Sequence, residues 1–188
     1  MANAYESGRK YYSSPTSMLN SSSMGGFEAE HWLGSTQPRD LQTPSVWRAS
    51  VNMLIGAQRR GKHVLANFDD LSSSLGSWQN FNAASMMLGN NGSVWLHFDS
   101  SNKSGPNSWQ LDAPILHMRI GRPTETHRTV SGYFGGRNYL RRYTHGLVVC
   151  NPSSHTYRLS LGGTYITPGG SRVRSVTMGP YSGIVLRH

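Results

Sequence analysis

Acidic residues are scarce in this chain: nine Asp and Glu stand against 18 Lys and Arg in 188 residues, a formal net charge of +9 with histidine neutral. That balance favours polyanions on electrostatic grounds and makes nucleic acid a partner to weigh. Yet only 14 % of residues are charged, and the bases stand apart, at Arg59, Arg60 and Lys62, at Arg119 and Arg122, and at Arg137, Arg141 and Arg142. No zinc-finger, RNA-recognition or helix-turn-helix pattern accompanies them, so they read as solvated surface and no nucleic-acid partner is expected. Cysteine is nearly absent as well. The single Cys150 cannot close a disulfide within the chain, and its place in the apolar run Leu147-Val-Val-Cys150 predicts a buried, inert thiol. No apolar run approaches the ~20 residues of a membrane helix, and no charged, apolar, small-residue leader opens the sequence. The expectation is therefore a chain without a membrane partner or an export address, extracellular only if a longer parent supplies a signal peptide. His31, His63, His97 and His117 lack the spacing of a metal motif such as His-Glu-x-x-His. A Gly-x-Ser-x-Gly elbow is missing too. Metal ligand, cofactor and serine nucleophile are accordingly not expected.

What is present is a succession of short apolar strands and amphipathic helices. Met24-Gly-Gly-Phe-Glu-Ala-Glu-His-Trp32 reads as a buried strand carrying Glu28 and Glu30 on one face and Phe27, Ala29 and His31 on the other. Two carboxylates beside an apolar strand are costly unless paired or hydrogen-bonded, which makes this stretch a candidate site. Met1 to Asn3 reads as the end of an earlier strand, and Ala4 to Tyr12 as a short helix. Thr43-Pro44 starts a helix, with proline at the first helical position, and Trp47, Val51, Leu54, Ile55 and Gln58 recur at helical spacing until Gly61 stops the run. His63 to Phe68 is the next strand and ends in Asp69-Asp70. A helix over Ser77–Leu88 follows, with Trp78, Phe81, Ser85 and Leu88 on one face, then a strand over Ser93–Phe98 that ends in Asp99. Strand and helix alternating with short connections predict parallel β/α units. Glu28, Glu30, Asp69, Asp70 and Asp99, five of the nine acids, fall at the C-terminal ends of consecutive strands, where a β/α barrel carries its active site.

After about residue 127 the helical periodicity ends. Short runs at Tyr139–Tyr143, Leu147–Cys150, Tyr157–Leu161, Thr164–Thr167, Ser171–Met178 and Ile184–Arg187 alternate with turn signals such as Asn151-Pro-Ser-Ser154, Gly162-Gly163 and Pro168-Gly-Gly170. The spacing predicts a small antiparallel β-sandwich. Two domains follow: residues 1–127, an incomplete β/α barrel, and residues 128–188, the sandwich.

Gly25-Gly-Phe-Glu-Ala-Glu-His-Trp32, Gly61-Lys-His-Val-Leu-Ala66, Arg142-Tyr-Thr-His-Gly-Leu-Val-Val-Cys-Asn-Pro152 and Val176-Thr-Met-Gly-Pro-Tyr-Ser-Gly-Ile-Val-Leu186 together resemble the glycoside hydrolases of the hypothetical family-15-like group. The resemblance implies a (β/α)8 TIM-type barrel followed by a β-sandwich, of which this chain would hold the last three to four strands and the C-terminal module. It also implies carbohydrate as substrate and places the acid of the sixth strand at Glu30. Hydrolysis of a glycosidic bond ordinarily uses two carboxyl groups. The family plan puts the other after the fourth strand, outside this chain, which alone is expected to be inactive.

The residues leave alternatives open. Glu30 is either the catalytic acid or base of the intact parent, or a rim carboxylate paired with Arg39 or His31; Glu28 is a second candidate. Asp69 and Asp70 suit sugar hydroxyls but could instead cap a helix, and Asp99 could cap a turn. Asn3 and Asn67 suit hydroxyl recognition or the backbone groups of a strand end. Trp32 and Trp109, beside loops, are candidate stacking platforms, whereas Trp95 alternates within a strand and reads as core. A non-catalytic carbohydrate-binding or structural module and a basic polyanion-binding protein are the competing functions. An open barrel edge predicts self-association.

Overall fold

The computed structural model describes residues 2–4, 21–29, 32–33, 44–69, 76–99, 114–124 and 138–188. Of the helix expected over Ala4–Tyr12, Ala4 is instead the last residue of a strand and the rest lies outside them. The fold is mixed α/β, with one parallel and one antiparallel sheet. The chain divides into two compact units: Met1–Leu75, Gly89–Leu111 and His127–Thr129 form the first, and Gly76–Leu88, Asp112–Thr126 and Val130–His188 the second.

In the first unit β1 (Ala2–Ala4), β2 (Gly26–Ala29), β3 (His63–Asp69) and β4 (Val94–Asp99) lie side by side in chain order. Every pairing is parallel. Helix α1 (Pro44–Gln58) connects β2 to β3, and its expected face is buried at Trp47, Val51, Leu54 and Ile55. Gly61, at φ 70°, takes the left-handed conformation that ends such a run. Gln58 then locks the crossover to the next strand. Its Nε2 donates to the carbonyls of Leu54 (2.9 Å) and Gly89 (2.8 Å), and its Oε1 accepts from the N–H groups of Asn91 (2.7 Å) and Ser93 (3.2 Å), just before β4. Lys62, expected on the surface, is only 5 % exposed. Its ammonium donates to the carbonyls of Ser21 and Met24, 2.6 Å each, and so ties down the turn that leads into β2. A buried ammonium needs such acceptors to offset its lost hydration.

In the second unit β5 (Tyr139–Tyr143), β6 (Gly146–Asn151), β7 (Tyr157–Ile166), β8 (Arg172–Met178) and β9 (Ser182–Arg187) form an antiparallel sheet in the order β5-β6-β9-β7-β8. Gly162-Gly163 is not the expected turn. β7 runs straight through it with an irregularity, because Ser160 pairs with Ser175 but Tyr165 pairs with Val173. Gly162, at φ 71°, supplies the backbone bend. β7 and β9 share one registered pair, Ile166 with Arg187. Leu147, Val149, Leu159, Leu161, Tyr165, Met178 and Leu186 nevertheless close into one apolar cluster.

β6 is buried along its whole length. Alternation sends Leu147 and Val149 into that cluster and turns Val148 and Cys150 the other way, where the Cys150 thiol lies 3.6 Å from the Ser85 hydroxyl on α2 (Gly76–Gly89). Burial pushes that thiol up from 9.0 to about 12, which is the inert cysteine its surroundings predict. The predicted helical face, Trp78, Phe81, Ser85 and Leu88, is buried, as are Asn82, Ala83 and Ala84. The helix approaches so closely that a Cβ on Gly183 would come within 2.6 Å of the Ala84 Cβ.

Arg141 departs most from expectation, since it is not a surface residue but wholly buried. Its guanidinium donates to the carbonyls of Leu88 (3.0 Å) and Met87 (3.2 Å), and the Tyr143 hydroxyl donates to Met87 (2.8 Å). The last carbonyls of a helix have no partner within it and carry its negative dipole end. A buried cation is tolerated there because it answers both needs. Burial also raises the Tyr143 phenol to about 12, with the Arg141 charge pulling the other way.

Candidate functional site

The parallel sheet has two unlike faces. Phe27, Ala29, Val64, Ala66 and Val94, which alternation places on one side, are all buried. On the other side Glu28, Leu65 and His97 are half-buried, His63 is exposed, and Trp95 shows 51 % of its surface. Trp95 is therefore not core. Its strand alternates as expected, but the side chain falls on the open face, against the imidazole of His63 (ring centroids 5.3 Å apart).

Toward the C-terminal end of that face the side chains join into a row. Asn67 donates from Nδ2 to the Glu28 carboxylate (3.1 Å), and its Oδ1 lies 3.0 Å from Nδ1 of His97. Register brings them together, because Asn67 pairs with His97 directly and Glu28 pairs with Leu65, two residues before Asn67 on the same face. Asn3 stands in register with Glu28 on the far strand.

The chemistry of the row fixes its protons. An ionised carboxylate only accepts, so the Asn67 amide must turn its NH2 to Glu28 and its oxygen to His97. His97 then carries a proton on Nδ1, and in the neutral ring Nε2 presents a lone pair. The result is a carboxylate and an imidazole held at a fixed separation by one amide, with an exposed indole on the same face. Such an arrangement can accept hydrogen bonds from a ligand's donors at the carboxylate and the imidazole while an apolar face of the ligand covers the indole.

The remaining candidates divide. Asp69 and Asp99 occupy the last positions of β3 and β4 and face one another in register, on strands about 4.8 Å apart. Asp69 ends β3, and α2 is described from Gly76 onward. Trp32 is 1 % exposed and offers no stacking face. It belongs instead to the support of the site, because its backbone N–H donates to the Asn67 carbonyl (2.8 Å) and pins the segment after β2 to the end of β3. Leu33 beside it is buried at φ 62°, a left-handed conformation that costs a non-glycine residue about 1–3 kcal/mol and persists where its surroundings over-determine it. Glu30, His31, Arg39, Asp70 and Trp109 lie outside the described residues. From the sequence Trp95, weighed with Trp32 and Trp109 as a stacking face, reads as core, and His97 enters only as a histidine without metal spacing; the signal that would have placed both in the site was their alternation with Val94 and Leu96, which puts both on the Asn67 face once the register is known.

Among the described residues no helix is long and apolar enough to cross a membrane. No protein-family model matches the chain, and no curated protein matches it. Among solved structures, Amy13B of Eubacterium rectale is similar at a TM-score of 0.42 with 11 % identity, over 99 % of this chain and 52 % of that one. The chain thus spans about half the length of Amy13B.

Proposed function

We propose that this chain is the C-terminal part of a glycoside hydrolase-like protein that cleaves glycosidic bonds by carboxyl acid/base chemistry. The observation that carries the reading is the row Glu28–Asn67–His97 at the C-terminal end of a parallel sheet, on the face that exposes Trp95. Ligands of parallel α/β sheets bind beyond the carboxyl ends of the strands. The strand order runs 1-2-3-4 without reversal, the winding of a sheet that closes into a barrel. On this reading residues 1–127 are the closing flank of a (β/α)8 barrel and residues 128–188 a sandwich module. The row then lies at the C-terminal mouth of the barrel, and preceding strands would complete the ring beyond β1.

Glu30 is the proposed proton donor or base. Glu28, Asn67 and His97 are proposed to hold sugar hydroxyls, with Asn3, Asp69, Asp99 and Trp109 at the rim and Trp95 in place of Trp32 as the stacking surface. A screen of aryl glycosides and polysaccharides with a full-length parent, and with its Glu30→Gln and His97→Leu variants, tests this. Loss of turnover in the first and a raised KM in the second are expected; undiminished activity in Glu30→Gln would remove that residue from the mechanism. The chain alone is expected to be inactive, and the edges at β1 and β4, each with one paired neighbour among the described strands, are proposed sites of self-association.

A non-catalytic sugar-binding module is the second reading. It is favoured by the make-up of the row, an amide, an imidazole and a carboxylate beside an exposed indole, which can hold a ligand by hydrogen bonds and stacking without any reacting group. Glycan binding without product formation by the full-length parent would establish it.

A further inference from the structure

The positive charge of this chain is concentrated. All nine acids, from Glu6 to Glu125, precede residue 126, whereas residues 126–188 hold eight arginines (Arg128, Arg137, Arg141, Arg142, Arg158, Arg172, Arg174 and Arg187) and no Asp or Glu. This stretch therefore carries +8 of the formal +9. Arg141 is buried against the end of α2, while Arg142, Arg158, Arg172, Arg174 and Arg187 are exposed. Cations that outnumber the acids of their own unit, which holds nine arginines against Asp112 and Glu125, form an attractive field for an anionic polymer.

The same unit contains a cleft of about 450 Å³ between the short 3-10 turn Pro114–His117 and the turn at the tip of the β7–β8 hairpin. His117, Arg119, Thr167 and Arg187 line it, and among the described residues no acid does. Its walls are braced by backbone hydrogen bonds. The Gly170 N–H donates to the Thr167 carbonyl (2.9 Å), and the 3-10 segment is tied through Ile120 to His145 (2.8 Å) and from there to His188 (2.9 Å). Farther along the hairpin, Arg158 donates to the Ser175 hydroxyl (3.1 Å) and Arg174 to the Thr164 hydroxyl (3.0 Å), so these forks are oriented before any ligand arrives.

We propose that this cleft is an anion subsite for an acidic polysaccharide. A carboxylate or sulfate of one sugar unit lies on the Arg119 and Arg187 forks, and neighbouring units run along Arg172, Arg174 and Arg158 on the hairpin. Guanidinium forks pair with carboxylates and sulfates in two parallel hydrogen bonds, which gives direction as well as charge. The choice of glycan over nucleic acid follows from the exposed side chains. Among the described residues of this stretch Tyr143 and Tyr165 are buried and Tyr139, Tyr157 and Tyr181 half-buried, so none of these rings is a fully open platform for stacked bases. Residues 138–188 contain no helix to enter a major groove. Arginines interleaved with Ser and Thr hydroxyls match a polymer of alternating hydroxyls and anions.

The site is separate from the Glu28–Asn67–His97 row and is read by binding alone, so its failure and the failure of the hydrolase reading are distinguishable. Calorimetry of the whole chain at low and high salt measures binding of polygalacturonate, dextran sulfate, uncharged dextran and single-stranded DNA. The chain is used as wild type, R119S/R187S, R119K/R187K and, as a control elsewhere, R48S/R59S. One or both acidic polysaccharides are expected to bind with salt-sensitive affinity, and which of them binds separates carboxylate from sulfate recognition. R119S/R187S should weaken that binding about tenfold or more, roughly the loss of one or two charged contacts. The lysine pair, which keeps charge and loses the fork, should fall between. All the substituted arginines are exposed, and circular dichroism checks that each variant folds. No binding of either acidic polysaccharide at low salt, equal weakening by both serine pairs, or tighter binding of DNA than of both polysaccharides would overturn the proposal.

Discussion

Replacing Asn67 by Ala removes both hydrogen bonds of the strand-end row at once. The bond to the Glu28 carboxylate (3.1 Å) is charge-assisted, and the bond from His97 (3.0 Å) is between neutral groups if the imidazole is neutral. Such bonds contribute about 1.5–3 and 0.5–1.5 kcal/mol net respectively. Glu28 and His97 are half-buried, so water reaches both once the amide is gone, and the lower end of each range applies. The expected loss is about 2 kcal/mol, which for a chain of this size lowers the melting temperature by roughly 4–8 °C. Long-range nitrogen–proton correlation of the imidazole side chain gives the sharper measurement. The wild type should show His97 protonated on Nδ1, and Asn67→Ala should release that tautomer. Asn67→Asp brings a second acceptor against Glu28, and like charges in contact should lower stability further at neutral pH than Ala does. A wild-type His97 protonated on Nε2 alone would refute the proton assignment and with it the role given to Asn67.

Arg141→Met leaves the last carbonyls of α2 buried with fewer donors and should destabilise the fold by about 3–5 kcal/mol, the cost of removing one side of a buried charged contact; chemical denaturation followed by circular dichroism measures it, and Arg141→Lys should recover part. Gly183→Ala puts a methyl group 2.6 Å from the Ala84 Cβ and 2.7 Å from the Asn80 carbonyl, an overpacking of about 1–3 kcal/mol that Ala84→Gly should partly relieve in the double variant. Cys150 and Tyr143 are held protonated in the fold, both at about 12 from 9.0 and 10.0. The unfolded chain releases these protons first, so stability falls as pH rises from about 9 to 12. Alkylation of Cys150 should track global unfolding, and reaction of the folded chain at neutral pH would contradict the burial. Trp95→Ala, at a half-exposed position, should leave stability within about 0.5 kcal/mol while abolishing glycan binding by a full-length parent; unchanged binding would exclude the indole from the site.

The elements were legible because their signals are local. Pro44 and the Trp47-to-Gln58 periodicity mark α1, and alternation of Phe27 and Ala29 against Glu28 orients β2, all from neighbouring residues alone. The parallel order of the strands followed from the lengths of the connections. What the tertiary structure decided is every property that depends on a residue distant in sequence. Trp95 and Trp32 exchange their expected places because exposure depends on which sheet face is covered and on the Trp32 bond to Asn67, thirty-five residues away. His97 joins the site only through its register with Asn67. Lys62 and Arg141 look like surface cations because a charge normally stays in water. Each is buried because carbonyls supplied by another segment, at Ser21 and Met24 or at the end of α2, replace that water, and no local pattern announces where those carbonyls will be.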